Sequence, residues 1–301
     1  MSGVAVAGGF GADLAFGDPR RLHPVAGFGL VAQAAEQAAY APSRRRGVAY
    51  VAVLVGAVAV LAETAARRVG RGRVLAVVTW AALGGRSLVT EACRLAAHLE
   101  RGDLDGARAV LPALCGRDPD GLDEPGLARA AVESVAENTS DAVVGALVWA
   151  AVAGPAGVAA YRAANTLDAM VGHRTDRYRE FGWAAARLDD VLGWPAARVT
   201  ALLAGACAPV VGGTPWGSWQ AARRDGRAHP SPNAGVVEAA FAGALAVTLG
   251  GPLAYAGRVE VRPALGSGPP PAVADIARAG RLSLAVGVVA ALLSAAVRSA
   301  R

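Results

Sequence analysis

The sequence predicts an all-α, polytopic integral membrane protein whose polar loops lie at the bilayer interface or outside it. Of the 301 residues, 54% are hydrophobic and 18% are charged, whereas soluble domains carry about 25% charged residues. Six segments carry no charge, and the longest of them approach the roughly 20 residues that a helix needs to cross a bilayer. No alternation of apolar and polar residues is long enough to predict a strand.

The uncharged segments give the expected helices in chain order. The third, fourth and fifth are long enough, or nearly so, to cross a bilayer alone, whereas the first and sixth need an extension or a tilt. The second is too short alone. A soluble bundle of Ala- and Val-rich helices is the alternative, but six such helices need more polar covering surface than the remaining sequence supplies. The segments are 47–62, 74–85, 142–161, 199–222, 239–257 and 282–297.

Two polar regions interrupt this pattern. Residues 86–131 combine helix-forming residues with the Gly/Asp/Pro loop GRDPDGLDEPG, which predicts a small helical hairpin outside the bilayer. Residues 258–281 are rich in Pro and Gly and are predicted to form a surface loop. Neither region predicts a separate domain, so we expect a single membrane-embedded domain over 1–301.

The basic and cysteine residues exclude several kinds of chemistry. All 30 basic side chains are arginines, which excludes a Walker-A lysine, a Schiff-base lysine and a lysyl-nucleotide intermediate. The net charge of +6 is spread over every loop without interleaved aromatic residues, so no nucleic-acid partner is expected. Cys93, Cys115 and Cys207 are odd in number and widely spaced, which fits neither a disulfide framework nor a zinc site.

A first polar signature, ESVAENTSD, precedes the third uncharged segment. If it is helical, Glu133, Glu137 and Asp141 line one face and Asn138 lies beside them. Carboxylates on one face can hold a divalent metal, so Glu137 and Asp141 are candidate metal ligands and Asn138 is a candidate substrate ligand. The alternative is a capping box in which Ser134 begins the helix, which needs no function.

A second polar signature, YRAANTLDAMVGHR, follows the same uncharged segment. Asp168 is a candidate metal ligand, and Arg162, Asn165 and Arg174 are candidate phosphate ligands, because guanidinium groups pair well with phosphate oxygens. His173 is a candidate catalytic base. The alternative is that Asn165 caps a helix that Arg162 anchors at the membrane interface.

Two adjacent acids, Asp189 and Asp190, come shortly after this signature in the segment ARLDD. Adjacent residues cannot share one helical face, but both can approach a metal from the end of a helix. Asp190 is therefore a candidate metal ligand and Asp189 a candidate catalytic residue. A plain ion pair with Arg187 is the alternative.

The loop RRDGRAHPSPNAG is a further strong feature. Arg223 and Arg224 are candidate phosphate ligands, His229 is a candidate catalytic base, and Asn233 is a candidate substrate ligand. Two prolines stiffen the loop, which makes a purely solvated segment less attractive. The alternative is a cytoplasmic loop whose arginines follow the positive-inside rule.

The third uncharged segment poses a geometric problem, because a straight crossing over 142–161 places the two signatures on opposite sides of the membrane. Gly154, Pro155 and Gly157 lie inside this segment and can break it into a re-entrant or interfacial helical pair. We predict this arrangement, with both signatures and the other active-site loops on the cytoplasmic side.

Several long blocks of the sequence carry a family resemblance: DLAFGDPRRLHPV, GRDPDGL, AVESVAENTSDAVVG, YRAANTLDAMVGHRTDRYREFGWAAARLDD, and RRDGRAHPSPNAG with the later EAAFAGALAVTLGG. In order, they resemble the adenosylcobinamide-phosphate synthases, the CobD/CbiB family of membrane proteins in cobalamin biosynthesis. The resemblance runs from about Asp13 to Gly257. Ala146, Val236 and Val237 depart from residues common in that family, but none of these changes removes an ionisable group.

The resemblance implies an ATP- and Mg²⁺-dependent ligase. Such an enzyme joins 1-aminopropan-2-ol phosphate or ethanolamine phosphate to a propionate of adenosylcobyric acid, giving adenosylcobinamide phosphate. The expected partners are these two substrates, membrane lipid and other late enzymes of the cobalamin pathway.

Two other functions stay open. One is a scaffold or permease for corrinoid intermediates, although charges here gather at the ends of the apolar segments and not inside them. The other is a CDP-alcohol phosphotransferase of the membrane. Asn165, Asp168, Gly182 and Asp190 fall at the intervals of that family's motif, but two of its four acids are replaced.

Overall fold

A computed structural model of the protein describes residues 2–18, 23–255 and 258–300. It confirms the predicted class, since helices dominate and five helical stretches are long and apolar enough to cross a membrane. The protein is an all-α, polytopic membrane protein, and its described residues include one short hairpin of strands. Residues 19–22 of the first resemblance block lie outside the described residues. The five stretches are Arg44–Val69, Arg71–Glu100, Glu124–Val171, Trp183–Val211 and Val273–Ser299.

The described elements follow one another with short connections. Two 3₁₀ turns, Leu111–Ala113 and Ala208–Val211, and one π-helical turn, Ser140–Val144, join consecutive helices. The helices are α1 Ser2–Phe16, α2 Pro24–Ala39, α3 Arg44–Val69, α4 Arg71–Ala82, α5 Gly85–Glu100, α6 Leu104–Val110, α7 Glu124–Thr139, α8 Gly145–Val171, α9 Tyr178–Phe181, α10 Trp183–Cys207, α11 Pro215–Asp225, α12 Ala234–Leu245 and α13 Val273–Ser299. The strands are β1 Thr248–Tyr255 and β2 Arg258–Gly266.

The chain divides into two compact units that interleave along the sequence. Unit 1 contains Met1–Gly84, Asp141–Ala196 and Ala290–Arg301, and unit 2 contains Gly85–Ser140 and Ala197–Val289. In unit 1, α8 packs along α3 and α4, and Tyr50 and Phe181 lie in a buried core. In unit 2, α12 packs against α11, α7 and the strand hairpin. The expectation of a single membrane-embedded domain stays a prediction, because this division concerns compactness alone.

The strand hairpin corrects three expectations from the sequence. Strands β1 and β2 pair antiparallel, with an irregularity between Leu249 and Gly251. The predicted loop 258–281 instead contains β2 and the start of α13, and the segment 239–257 is no single helix because α12 ends at Leu245. The expectation that the chain contains no strands was also wrong. The alternation in RVEVR is only five residues long, which is too short to stand out against the apolar background.

Helix boundaries also decide two of the structural alternatives. Helix α7 begins at Glu124, where the Asp123 side chain accepts a hydrogen bond from the backbone amide of Gly126. Ser134 therefore lies inside the helix, and the proposed capping box is wrong. Asn165 lies inside α8, so it caps no helix, and Asp190 lies inside α10 and not at a helix end.

The chain reverses direction at Gly154, as the sequence suggested. Its φ of 65° and ψ of −147° fall in a region that is open to glycine alone. The segments before and after Gly154 are in contact, since the Tyr161 hydroxyl donates a hydrogen bond of 3.1 Å to the carbonyl oxygen of Asp141. Residues 141 and 161 would be about 30 Å apart in a straight α-helix. The helical break is confirmed, whereas the membrane side of the two signatures stays a prediction.

Replacing Gly154 by alanine should destabilise the protein, because a Cβ is strained at this φ and ψ by about 1–3 kcal/mol. Thermal unfolding in detergent should show a midpoint lowered by about 2–4 °C per kcal/mol. Gly56→Ala is the matched control, since Gly56 is helical and a Cβ there meets open space. Equal melting temperatures for the two variants would contradict the strained reversal.

The position of residues 86–131 outside the bilayer stays a prediction, and Cys93 can test it. Cys93 is exposed on α5, whereas Cys115 is partly buried and burial raises the pKa of its thiol. In a Cys115→Ser, Cys207→Ser background, a membrane-impermeant maleimide should label Cys93 without detergent. The reagent is supplied to both faces of an intact bilayer, for example in membrane sheets. Labelling only after detergent is added would place α5 in the hydrocarbon.

Candidate functional site

Unit 2 contains a buried ionic cluster, which we define as Arg117, Glu133, Glu137, His229, Glu238 and Arg262. An Nη of Arg117 lies 2.5 Å from a carboxylate oxygen of Glu133, and only 3% and 5% of these side chains are exposed. The other carboxylate oxygen of Glu133 accepts a 2.7 Å hydrogen bond from the backbone amide of Gly250. Glu133 therefore joins α7 to the loop before it and to the strand hairpin.

His229 occupies the buried side of this ionic cluster. Its Nε2 lies 3.1 Å from an Nη of Arg262 and 4.0 Å from a carboxylate oxygen of Glu238. A guanidinium can only donate, so Nε2 faces a donor, and Nδ1 lies 3.1 Å from the backbone amide of Ser231. Burial, and then the charges of Glu137 and Glu133, raise the pKa of Glu238 well above its usual value.

The loop after α11 places its polar residues inward. The Ser231 hydroxyl accepts hydrogen bonds from the amides of Asn233 and Ala234 at the start of α12. The Asn233 side chain accepts a 2.8 Å hydrogen bond from Arg198, and both His229 and Asn233 are buried. The interpretation of this segment as a simple positive-inside loop does not account for these contacts.

Unit 1 contains a half-buried polar cluster, which we define as Arg162, Asn165, Asp168, Asp189 and Asp190. Arg162 donates a 3.1 Å hydrogen bond to the side-chain carbonyl of Asn165, and the side-chain amide of Asn165 donates one of 3.3 Å to the Asp189 carboxylate. These contacts join α8 to α10. The chain thus brings the second signature together with the adjacent acids that follow it.

The acidic end of this half-buried cluster is surrounded by basic side chains. Asp168 interacts electrostatically with Asp190 and with His173. Asp190 interacts with Arg187 and Arg174, and the Arg187 pair is 3.5 Å long, so the predicted plain ion pair is present. His173 is exposed, and its Nε2 lies 2.8 Å from the carbonyl of Ala169, which leaves Nδ1 as the acceptor.

The structure distributes the predicted site residues between the two units, each of which collects its own set. Whether both sets act as one site stays a prediction. Among the described residues, no group of three or more His, Cys, Asp or Glu side chains is arranged to hold a metal. Unit 1 holds Asp141, Arg162, Asn165, Asp168, His173, Arg174, Asp189 and Asp190, and unit 2 holds Glu137, Asn138, Arg223, Arg224, His229 and Asn233.

Four polar residues that were not singled out from the sequence belong to these surroundings. Arg117, Glu238 and Arg262 complete the buried ionic cluster, and Asp18 interacts electrostatically with Arg162. A single acid inside the otherwise apolar sequence AGVVEAAFAGAL is a signal that points to Glu238, because isolated charges in apolar helices are costly. Asp18 and Arg117 belong to blocks of the family resemblance, but their spacing alone gives no signal.

Arg223 and Arg224 line an open groove in unit 2 with a volume of about 1040 Å³. Arg224 makes two hydrogen bonds, of 2.6 and 2.7 Å, to the Asp225 carboxylate. The Arg224 guanidinium, followed by the backbone amide of Gly266, lowers the pKa of Asp225. The charge of Arg224 is therefore largely balanced, whereas Arg223 is exposed to the groove.

Breaking the buried pair should be costly. Glu133→Gln leaves the Arg117 charge without its carboxylate and should reduce the free energy of unfolding by about 3–5 kcal/mol. The double variant Arg117→Met, Glu133→Leu should lose less, because no charge is then buried. Glu91→Gln, which removes an exposed pair with Arg94, is the control for thermal unfolding in detergent. A Glu133→Gln protein as stable as this control would contradict the buried ion pair.

The chain is similar to known proteins over a range that contains these blocks of sequence. A family model described as CobD/Cbib protein matches residues 6–283. A Mycobacterium tuberculosis protein named "Cobalamin biosynthesis protein CobD" is 54% identical over 285 residues, covering 94% of this chain and 91% of that protein. Proteins of the same name from Chromobacterium violaceum and Rhodobacter capsulatus are 45% and 41% identical, and cover 90% and 94% of this chain and 88% and 96% of their own lengths.

No solved structure matches the chain. The family model spans most of the sequence, and the relatives align along nearly their whole lengths. This family is the one that the polar blocks resemble, and it is not that of the CDP-alcohol phosphotransferases. The chain belongs to the CobD/CbiB family.

Proposed function

We propose that the protein is the amide-forming ligase of cobalamin biosynthesis. It joins an amino-alcohol phosphate to a propionate of adenosylcobyric acid with consumption of ATP. The observation that carries this proposal is the half-buried polar cluster, in which three carboxylates gather with Arg162 and Asn165. His173, Arg174 and Arg187 lie beside its acidic end, and its helices belong to stretches that are long and apolar enough to cross a membrane. That combination suits anionic substrates handled at a membrane surface.

The reaction requires activation of an unreactive carboxylate. The propionate oxygen attacks the γ-phosphorus of ATP, which forms an acyl phosphate and releases ADP. The amine nitrogen of the amino-alcohol phosphate then attacks the acyl carbon, the C–O bond to phosphate breaks, and the nitrogen loses a proton to a base. His173 is the base that we propose, since its Nδ1 has an acceptor lone pair and the side chain is exposed, whereas Nε2 of His229 faces Arg262.

Magnesium fits the donors of the half-buried polar cluster. Asp168 and Asp190 would hold the ion through carboxylate oxygens, which are the ligands that Mg²⁺ prefers. Two protein carboxylates are enough for Mg²⁺, because it usually keeps several waters and takes its other ligands from substrate phosphates. The ion would neutralise phosphate charge during transfer. Arg174 and Arg162 are proposed to bind phosphate oxygens beside it.

Activity can be tested with purified protein in detergent, adenosylcobyric acid, an amino-alcohol phosphate and Mg·ATP. Formation of adenosylcobinamide phosphate and of ADP in equal amounts, followed by mass spectrometry, is the expected result. A folded protein that gives no corrinoid product with either amino-alcohol phosphate would favour the scaffold or permease instead.

The carboxylates of the half-buried polar cluster should be needed for turnover. Asp168→Asn and Asp190→Asn should each lower kcat about 100-fold or more, because charge that develops on the phosphate loses its stabilisation. Both variants should also need a higher Mg²⁺ concentration for half-maximal activity. Asp176→Asn is the control, since this fully exposed acid pairs only at the surface with Arg179. Unchanged kcat and Mg²⁺ dependence in both variants would refute the metal assignment.

A further inference from the structure

The open groove in unit 2 has a polar end and an apolar end. Arg198 lies one helical turn before Leu202 on α10, and Trp216 lies about 10 Å before Arg223 along α11. The indole NH of Trp219 donates a 3.1 Å hydrogen bond to the carbonyl of Leu202, which fixes the pairing of the two helices. The groove therefore runs from an arginine-rich end to a wall of Trp216 and Leu202.

The polar end carries an excess of positive charge. Arg198, Arg223, Arg224 and Arg227 line the groove, and none of the other described residues that line it is acidic. Arg224 is largely balanced by Asp225, but within the part of the chain that the structure describes no carboxylate pairs with Arg223 or Arg227. Both are exposed at the end of α11 and in the loop after it. This end is suited to an anion.

The apolar end is open to its surroundings. Trp216 is 69% exposed and Leu202 is 61% exposed, and Leu202 lies on Trp183–Val211, a stretch that is long and apolar enough to cross a membrane. An exposed leucine on such a stretch is suited to contact with lipid chains. Tryptophan and arginine together mark the level of the lipid headgroups, where an indole contacts acyl chains and a guanidinium reaches phosphate.

We propose that this groove binds an anionic membrane phospholipid. Its phosphate pairs with Arg223 and Arg227, and one acyl chain lies along Trp216 and Leu202. A small, fully polar phosphate would use the arginines but not the apolar wall, whereas a lipid uses both. This site is independent of the proposed ligase reaction, and it takes Arg223 and Arg224 away from the substrate phosphate to which the sequence assigned them.

Quenching of tryptophan fluorescence by brominated lipids tests the proposal. The protein is placed in nanodiscs of phosphatidylcholine that contain a minor fraction of phosphatidylglycerol, with bromine on the chains of one lipid or the other. We expect brominated phosphatidylglycerol to quench more strongly than brominated phosphatidylcholine at the same fraction. Trp216→Phe should remove most of that difference, because Trp216 lines the acyl-chain path.

Charge-removing variants define the headgroup end. Arg223→Gln with Arg227→Gln should reduce the preference for phosphatidylglycerol roughly fivefold for each arginine. Arg67→Gln with Arg68→Gln, a matched pair of adjacent arginines at the end of α3, should leave the preference unchanged. If the double variant does not fold, Arg227→Gln alone should still reduce the preference for phosphatidylglycerol, and competition by a soluble phosphate ester tests the site in the unchanged protein.

Competition separates a lipid from a soluble phosphate. Glycerol phosphate at high concentration should not reduce quenching by brominated phosphatidylglycerol, because it lacks the acyl chain. Displacement by glycerol phosphate would assign the arginines to a soluble phosphate ester, and would overturn the proposal. Equal quenching by the two brominated lipids, or a preference that survives in the arginine variants, would also overturn it.

Discussion

Glu133 imposes the constraint on which unit 2 depends. A buried carboxylate is tolerated only when its oxygens are occupied, and the oxygens of Glu133 are occupied by Arg117 and by the amide of Gly250. One side chain thereby holds α7, the loop before it and the strand hairpin at fixed distances. His229 and Arg262 extend the same network on its other side, so the loop after α11 is positioned by charge as much as by packing.

The sequence predicted the parts of the fold that follow from composition. Uncharged segments indicated where membrane helices lie, and Gly154 indicated where one of them reverses, because both signals are local. The hairpin of β1 and β2 was missed, since its alternation is short and its pairing partner is what stabilises it. The end of α12 was also missed, because Ala246 adopts a left-handed conformation that no local sequence rule assigns to alanine.

The candidate site shows the same division between local and distant information. The second signature named Arg162, Asn165 and Asp168 as candidates, but only the structure shows that Asn165 links Arg162 to Asp189 on another helix. Spacing gave no indication that His229 is buried, because its surroundings come from Arg262 and Glu238. A titratable residue type names what chemistry is available, but exposure and neighbours decide whether it can be used. In this protein His173 is exposed and accessible to a substrate, whereas His229 is buried among charged neighbours.

The π-helical turn at Ser140–Val144 has a consequence for how the chain can change in length. A π turn holds one residue more than an α-helical turn. Deleting one residue there would return the turn to α-helical form and leave the helix up to Gly154 facing nearly the same way, because five residues of a π turn and four of an α turn cover about the same rotation. Trp149, whose indole donates to the carbonyl of Leu192, would therefore keep its direction. A deletion between Gly145 and Gly154 has no such turn to absorb it and would rotate the residues between the deletion and Gly154 by about 100° about the helix axis.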